Sequence, residues 1–131
     1  MTATDVAVTR YLDALNRGDP DSIAACVTED FHNEHTSTLG HSRHGRAAYR
    51  ERLPGFLAEF AGLHYAVEET IVEGDRAAVA YTMTCSWQGG TAEGRPVSIR
   101  GVFRFRVADG LIAHRVDYWD SAEFTRQVAL S

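Results

Sequence analysis

The hydrophobic period of this chain changes near Gly62, and that change restricts the folds open to it. Before Gly62 apolar residues recur at helical spacing. After it they alternate, as on a strand with one buried face. Leu63–Glu73 and Arg76–Gln88 read as strands joined at Gly74-Asp75, and Arg95–Ala108 and Leu111–Trp119 as strands joined at Asp109-Gly110, a strong hairpin signal. In the 76–88 strand Val79, Tyr81, Met83, Cys85 and Trp87 share one face. In the 95–108 strand Val97, Ile99, Gly101, Phe103 and Phe105 do, and the opposite face carries Ser98, Arg100, Val102, Arg104 and Arg106. Such a sheet exposes one face and needs a cover on the other.

The first half supplies the cover. Residues 4–17 form an amphipathic pattern with Val8, Tyr11, Leu12 and Leu15 on one face, ended by Gly18. Asp19-Pro20 reads as the cap and first turn of a short second helix carrying Ile23, Cys26 and Val27. Phe31–Thr36 is expected to be a short strand and 37–45 a loop. Arg46–Phe60 reads as a third helix with Tyr49, Leu53, Phe56, Leu57 and Phe60 on one face and a kink at Pro54. Ser121 is expected to cap a last short helix, with Phe124 and Val128 as its apolar residues. The fold class is α+β, with three N-terminal helices packed on a curved antiparallel sheet. At 131 residues, one domain spanning 1–131 is expected.

Composition removes several function classes. All 13 basic residues are arginine, so chemistry that needs an in-chain lysine is excluded: Schiff-base aldolases, pyridoxal enzymes and P-loops. The net charge of −5 argues against a nucleic-acid partner. The cluster Arg43, Arg46, Arg50 and Arg52 is interrupted by Glu51 and reads as a solvated helix face. No apolar run approaches the ~20 residues of a membrane span, so no membrane partner is expected. The start lacks a secretory pattern, and Cys26 and Cys85 make no disulfide framework, so a cytoplasmic location is expected.

Several stretches carry a resemblance. Arg10-Tyr11-Leu12-Asp13-Ala14-Leu15-Asn16-Arg17-Gly18-Asp19 resembles the first helix and turn of ketosteroid isomerases and SnoaL-like proteins. Thr28-Glu29-Asp30-Phe31-His32-Asn33-Glu34-His35 resembles the turn and short strand that follow. Gly101-Val102-Phe103-Arg104-Phe105 and Asp117-Tyr118-Trp119-Asp120 resemble the last two strands of SnoaL-like proteins and limonene-type epoxide hydrolases. The resemblance spans nearly the whole chain and implies the cystatin-like cone of the nuclear transport factor 2 superfamily. That cone hosts isomerases, cyclases, dehydratases, hydrolases and non-enzymes, so function rests on the site.

The resemblance implies a catalytic set of His35, Asp117 and Tyr11. His35 falls where ketosteroid isomerases hold their aspartate base. Asp117 matches the aspartate of the epoxide hydrolases, and Tyr11 the isomerase tyrosine that donates to the substrate oxyanion. Strand parity agrees for two of them. Phe31, Asn33 and His35 share an inward face, as do Ala113, Arg115, Asp117 and Trp119. Each also has a structural reading: a core tyrosine, a packed histidine, and an Arg115–Asp117 ion pair. An imidazole in such a pocket is expected to titrate near neutrality. Asn33, Tyr49, Tyr81, Met83, Trp87, Phe103, Arg115 and Trp119 are expected to bind substrate.

Departures narrow the reaction. Gly101 stands where ketosteroid isomerases carry a protonated aspartic acid. Between Ala77 and Gln88 there is no Arg, Asp or Glu, so the Arg-x-Asp pair of limonene-type epoxide hydrolases is missing. His32-x-x-His35 diverges on a strand, so neither metal nor cofactor is expected. The expected activity is acid–base catalysis (isomerisation, cyclisation or dehydration) on a small hydrophobic carbonyl or polyketide-like compound. The alternatives are water activation of the epoxide-hydrolase kind and a non-catalytic ligand-binding protein. A homodimer through the outer sheet face is also expected.

Overall fold

A computed structural model describes residues 1–37, 39–90 and 93–129. In chain order the elements are α1 (Ala3–Arg17), α2 (Pro20–Ala24), β1 (Val27–His35), β2 (Arg43–His44), α3 (Arg46–Glu59), β3 (Phe60–Glu73), β4 (Arg76–Trp87), β5 (Arg95–Ala108), β6 (Leu111–Trp119) and α4 (Ser121–Val128). The strands form one curved, unclosed sheet in the order β2-β1-β6-β5-β4-β3, with the helices packed against it. No helix is long and apolar enough to cross a membrane.

Local chemistry sets the element ends. Thr2 and Asp5 cap α1 reciprocally: the Thr2 hydroxyl accepts from the Asp5 N–H, and the Asp5 carboxylate accepts from the Thr2 N–H. Gly18 closes the helix in the left-handed conformation, φ 69°. Asp109 and Gly110 both have positive φ, 53° and 76°, which matches the right-handed twist of the β5–β6 hairpin. Asp120 caps α4 by accepting from the N–H groups of Ala122 and Glu123. The cap thus falls one residue before the expected Ser121.

Three further elements depart from expectation. The stretch 37–45 includes the two-residue β2, which pairs antiparallel with β1. β3 starts at Phe60, ahead of Gly62, and the helix before it runs through Pro54 to Glu59. β1 begins at Val27 and pairs with β6 in parallel, with His32 opposite His114, Asn33 opposite Arg115 and His35 opposite Asp117. The sheet is antiparallel from β3 to β6, and β1 joins it by this one parallel pairing. The connection from β1 to β6 runs through β2, α3, β3, β4 and β5, which is long enough for a parallel return.

The core lies between α1, α2, α3 and the concave face. Tyr11, Leu15, Ile23, Val27, Phe31, Val79, Phe103, Phe105 and Ile112 are fully buried or nearly so. Each such side chain contributes about 1.5–3 kcal/mol by leaving water. The arginines near α3 are engaged locally. Arg46 donates twice to the Val27 carbonyl, Arg50 pairs with Asp21 at 2.8 Å, and Arg52 pairs with Glu59 at 3.1 Å.

Asn16 joins the helical layer to the sheet. β3 is an edge strand, so one side of its backbone has no strand partner. The Asn16 amide donates to the Tyr65 carbonyl at 3.1 Å and accepts from the Tyr65 N–H at 2.8 Å. Asn16→Ala leaves both backbone groups unmatched and is expected to cost about 2 kcal/mol in urea unfolding. Wild-type stability in that variant would show that water replaces both bonds.

Candidate active site

The parallel β1–β6 pairing builds the site. It sets Asn33 beside Arg115 and His35 beside Asp117, all facing the helices. Between these strands, α3 and α4 lies a cavity of about 270 Å³. Asn33, His35 and Arg115 form its polar end. Tyr49, Leu53, Phe56, Trp87, Trp119 and Phe124 line much of the rest. Its volume lies just below the usual range for small-molecule sites, roughly 300–1,000 Å³, which favours a ligand of one or two rings.

Arg115 organises the polar end. It is 5% exposed. Its Nε and Nη2 donate to Asn33 Oδ1 at 3.0 and 2.6 Å, and its Nη1 donates to the Tyr11 hydroxyl at 2.8 Å. The guanidinium also lies over the Phe103 ring, 5.0 Å from its centroid. Burial works against the charge, but the tyrosines and Asp117 around it outweigh that, so Arg115 stays charged. A guanidinium has five N–H groups. These bonds use three of them, and Nη2 lies 3.5 Å from His35 Nε2.

His35 stands between opposed neighbours. The Trp119 indole N–H donates to its Nδ1 at 3.2 Å, and Asp117 Oδ2 is 3.7 Å from the same nitrogen. An indole and a guanidinium both only donate, so a neutral His35 can accept from Trp119 at Nδ1 in one tautomer or from Arg115 at Nε2 in the other. Burial, and then the charge of Arg115, push the His35 pKa down from 6.5 to about 3. The expected titration near neutrality is therefore corrected. Asp117 does not rescue it. Burial raises the Asp117 pKa against the pull of Arg115 and Tyr81. Gly40 lies directly on His35: a Cβ at that position would sit 2.3 Å from the His35 Cβ.

The remaining expected site residues separate into lining and support. Asn33, Tyr49, Trp87, Arg115 and Trp119 line the cavity with His35. Tyr11, Tyr81, Met83, Phe103 and Asp117 do not. Tyr11 is fully buried behind it, and its hydroxyl meets Arg115 and the Tyr49 hydroxyl, the latter at 2.6 Å. Burial raises the Tyr11 pKa, which keeps the phenol protonated. Of the two tyrosines, Tyr49 lines the cavity. Tyr81 donates to Asp117 Oδ1 at 2.5 Å, and its hydroxyl fills the space over Gly101, where a Cβ would meet it at 2.3 Å. Met83 packs against the core and Phe103 sits under Arg115. Sequence reasoning did not bring Phe56 and Phe124 to the cavity. Both fell on apolar helix faces, a signal that marks core and pocket wall alike.

This arrangement is an α+β cone with a buried cation and an imidazole at the closed end of an apolar pocket. Residues 8–115 match the model of the SnoaL-like domain, and the chain belongs to that family. A nuclear-transport-factor-2-like protein of unknown function from Burkholderia pseudomallei has the same fold, with TM-score 0.84 and 22% identity over 99% of this chain and 100% of its own. TerC, co-crystallised with polyporic acid, matches with TM-score 0.82 and 21% identity over 96% and 98%. A ketosteroid-isomerase-like protein from Catenulispora acidiphila, in complex with trimethylamine, matches with TM-score 0.82 and 16% identity over 95% and 93%. No curated protein matches the sequence.

The low His35 pKa has a stability consequence. The unfolded chain binds a proton at His35 near pH 6.5, and the folded chain does so only near 3. Through that window the unfolded state holds more protons, so stability falls as pH falls. Urea unfolding at pH 7 and pH 4 should show wild type losing on the order of 3 kcal/mol more than His35→Asn. Equal losses would mean that His35 is not held neutral.

Proposed function

We propose that the protein catalyses proton transfer on a small, enolisable carbonyl compound of polyketide-like character, leading to isomerisation, cyclisation or dehydration. The observation that carries this reading is the buried Arg115 beside a neutral His35 at the end of an apolar cavity. Substrate carbonyl oxygen at the spare Arg115 N–H groups would gain charge as a C–H proton leaves. Fixed donors in a dry site stabilise such an enolate. Co-crystallisation of TerC, a protein of the same fold, with polyporic acid supports a small organic ligand.

In this reading His35 takes the proton at Nε2. That requires the Nδ1–H tautomer, with Nδ1 turned from Trp119 towards Asp117. The enolate arriving at Arg115 offsets the charge that suppresses His35, so the imidazole gains basicity as the proton moves. A base this weak in the empty site suits an acidic carbon flanked by two carbonyls and not an ordinary ketone. Asp117 orients the ring and balances its charge. Tyr11 acts through Arg115 and Tyr49, without touching substrate.

Proton–deuterium exchange on aromatic β-dicarbonyl compounds in D2O, followed by NMR, tests this directly. His35→Ala should slow exchange by roughly 10²–10⁴-fold with the fold intact. Asp117→Asn should retain binding and slow exchange. Exchange unchanged in His35→Ala would end the catalytic assignment. Binding without exchange by wild type would leave a ligand-binding protein.

The same reading includes a cytoplasmic protein with free thiols at Cys26 and Cys85, and no nucleic-acid or membrane partner. It also includes a homodimer through the outer sheet face. Val102 and Tyr118 are cross-strand neighbours there and are 39% and 40% exposed. Sedimentation should give a dimer mass for wild type and a monomer mass for Val102→Arg. A monomeric wild type at high concentration would remove the dimer.

A further inference from the structure

Strand alternation sends the even-numbered residues of β1, and those of β6 from His114 on, to the face opposite the cavity. Three histidines stand in a row there. His32 on β1 is in register with His44 on β2 and with His114 on β6. The His32 and His114 rings stack 4.8 Å apart with planes 1° from parallel, and His44 stacks on His32 at 5.3 Å. Glu34 lies two residues beyond His32 on the same face, and its Oε1 is 3.0 Å from His114 Nε2. One donor atom from each of His32, Glu34 and His114 falls within 4.8 Å of the other two.

We propose that His32, Glu34 and His114 form a binding site for a divalent first-row transition ion, Zn²⁺ above all. Two imidazoles and a carboxylate suit such an ion, whereas Mg²⁺ and Ca²⁺ prefer oxygen ligands throughout. Donors about 2 Å from a tetrahedral ion lie roughly 3.3 Å from one another. The Glu34–His114 pair is already near that spacing, and side-chain rotation brings in His32. All three residues sit on strands, which fixes their backbones. The His114 and Glu34 side chains are 26% and 38% exposed, so an ion can enter and water can complete its shell. Arg106 is the cross-strand neighbour of His114 on β5 and opposes a cation, and Glu34 supplies the counter-charge.

The ion would tie β1 to β6, the parallel pair on which the cavity depends. That pair carries a register irregularity between Val27 and His32, so its hydrogen-bond ladder is interrupted next to the proposed site. This site lies on the other side of the sheet from the cavity and stands independently of the proposed reaction.

Calorimetric titration of tag-free, chelator-treated protein with Zn²⁺ tests the site, with the visible absorption of bound Co²⁺ as a second readout. One ion per chain is expected, and Mg²⁺ should not displace it. His32→Ala, His114→Ala and Glu34→Gln should each weaken binding by at least about tenfold. His64→Ala, at an exposed position on β3, should not. Circular dichroism checks the fold of each variant, and Glu34→Gln keeps the test open if a histidine variant fails to fold. No binding by wild type, or binding that survives both histidine substitutions, would overturn the proposal and leave an ion pair beside stacked rings.

Discussion

The buried guanidinium of Arg115 is the interaction around which this structure is arranged. Moving such a group out of water costs several kcal/mol unless its donors are matched. The matching groups come from three directions: Asn33 from β1, Tyr11 from α1 and the Phe103 ring from β5. None of them could be lost without leaving buried charge unsatisfied. The helix layer, the edge of the sheet and its centre are therefore fixed relative to one another by one side chain. The same charge adds to burial in holding the His35 imidazole neutral.

Position 101 shows how a site can change its chemistry without changing its fold. A glycine there leaves room, and the Tyr81 hydroxyl occupies it. From that place Tyr81 donates to Asp117, which is held behind the cavity wall. The acid group that ketosteroid isomerases present at this point is absent. The polar contacts offered to a ligand come instead from Arg115, Asn33, His35 and Tyr49. The pocket presents a cation where the isomerase pattern presents neutral donors.

Much of this was legible in the sequence because parity on a strand is a strict rule. Asn33, His35, Arg115 and Asp117 could be turned inward from alternation alone, since Phe31 and Ala113 marked the buried face. The hairpins at Gly74-Asp75 and Asp109-Gly110 were equally readable from their turn residues. What alternation cannot supply is which strands are neighbours. Nothing local marks β1 as the parallel partner of β6, because that contact joins residues about 80 positions apart. Depth was illegible for the same reason. Tyr11 and Tyr49 share the same apolar signal on different helices, yet only Tyr49 reaches the cavity. The shift of the His35 pKa comes first from burial and then from the charge of Arg115, and both depend on which strands meet.

The β1–β6 pairing also explains why two polar clusters sit back to back. Odd-numbered residues on both strands face the cavity and gather a cation, an amide, an imidazole and a carboxyl. From His32 and His114 on, even-numbered residues face outward and gather His32, Glu34 and His114. A slip of two residues between the strands, the smallest that keeps the faces of each, would separate Asn33 from Arg115 and His32 from His114 together. Register is thus constrained from both sides of the sheet. On the inner side the constraint is the cost of an unpaired guanidinium. On the outer side it is the Glu34–His114 hydrogen bond and the stacked rings. A parallel pair at the end of a sheet is ordinarily a weak joint. Here it carries polar groups on both faces that are satisfied in a single alignment.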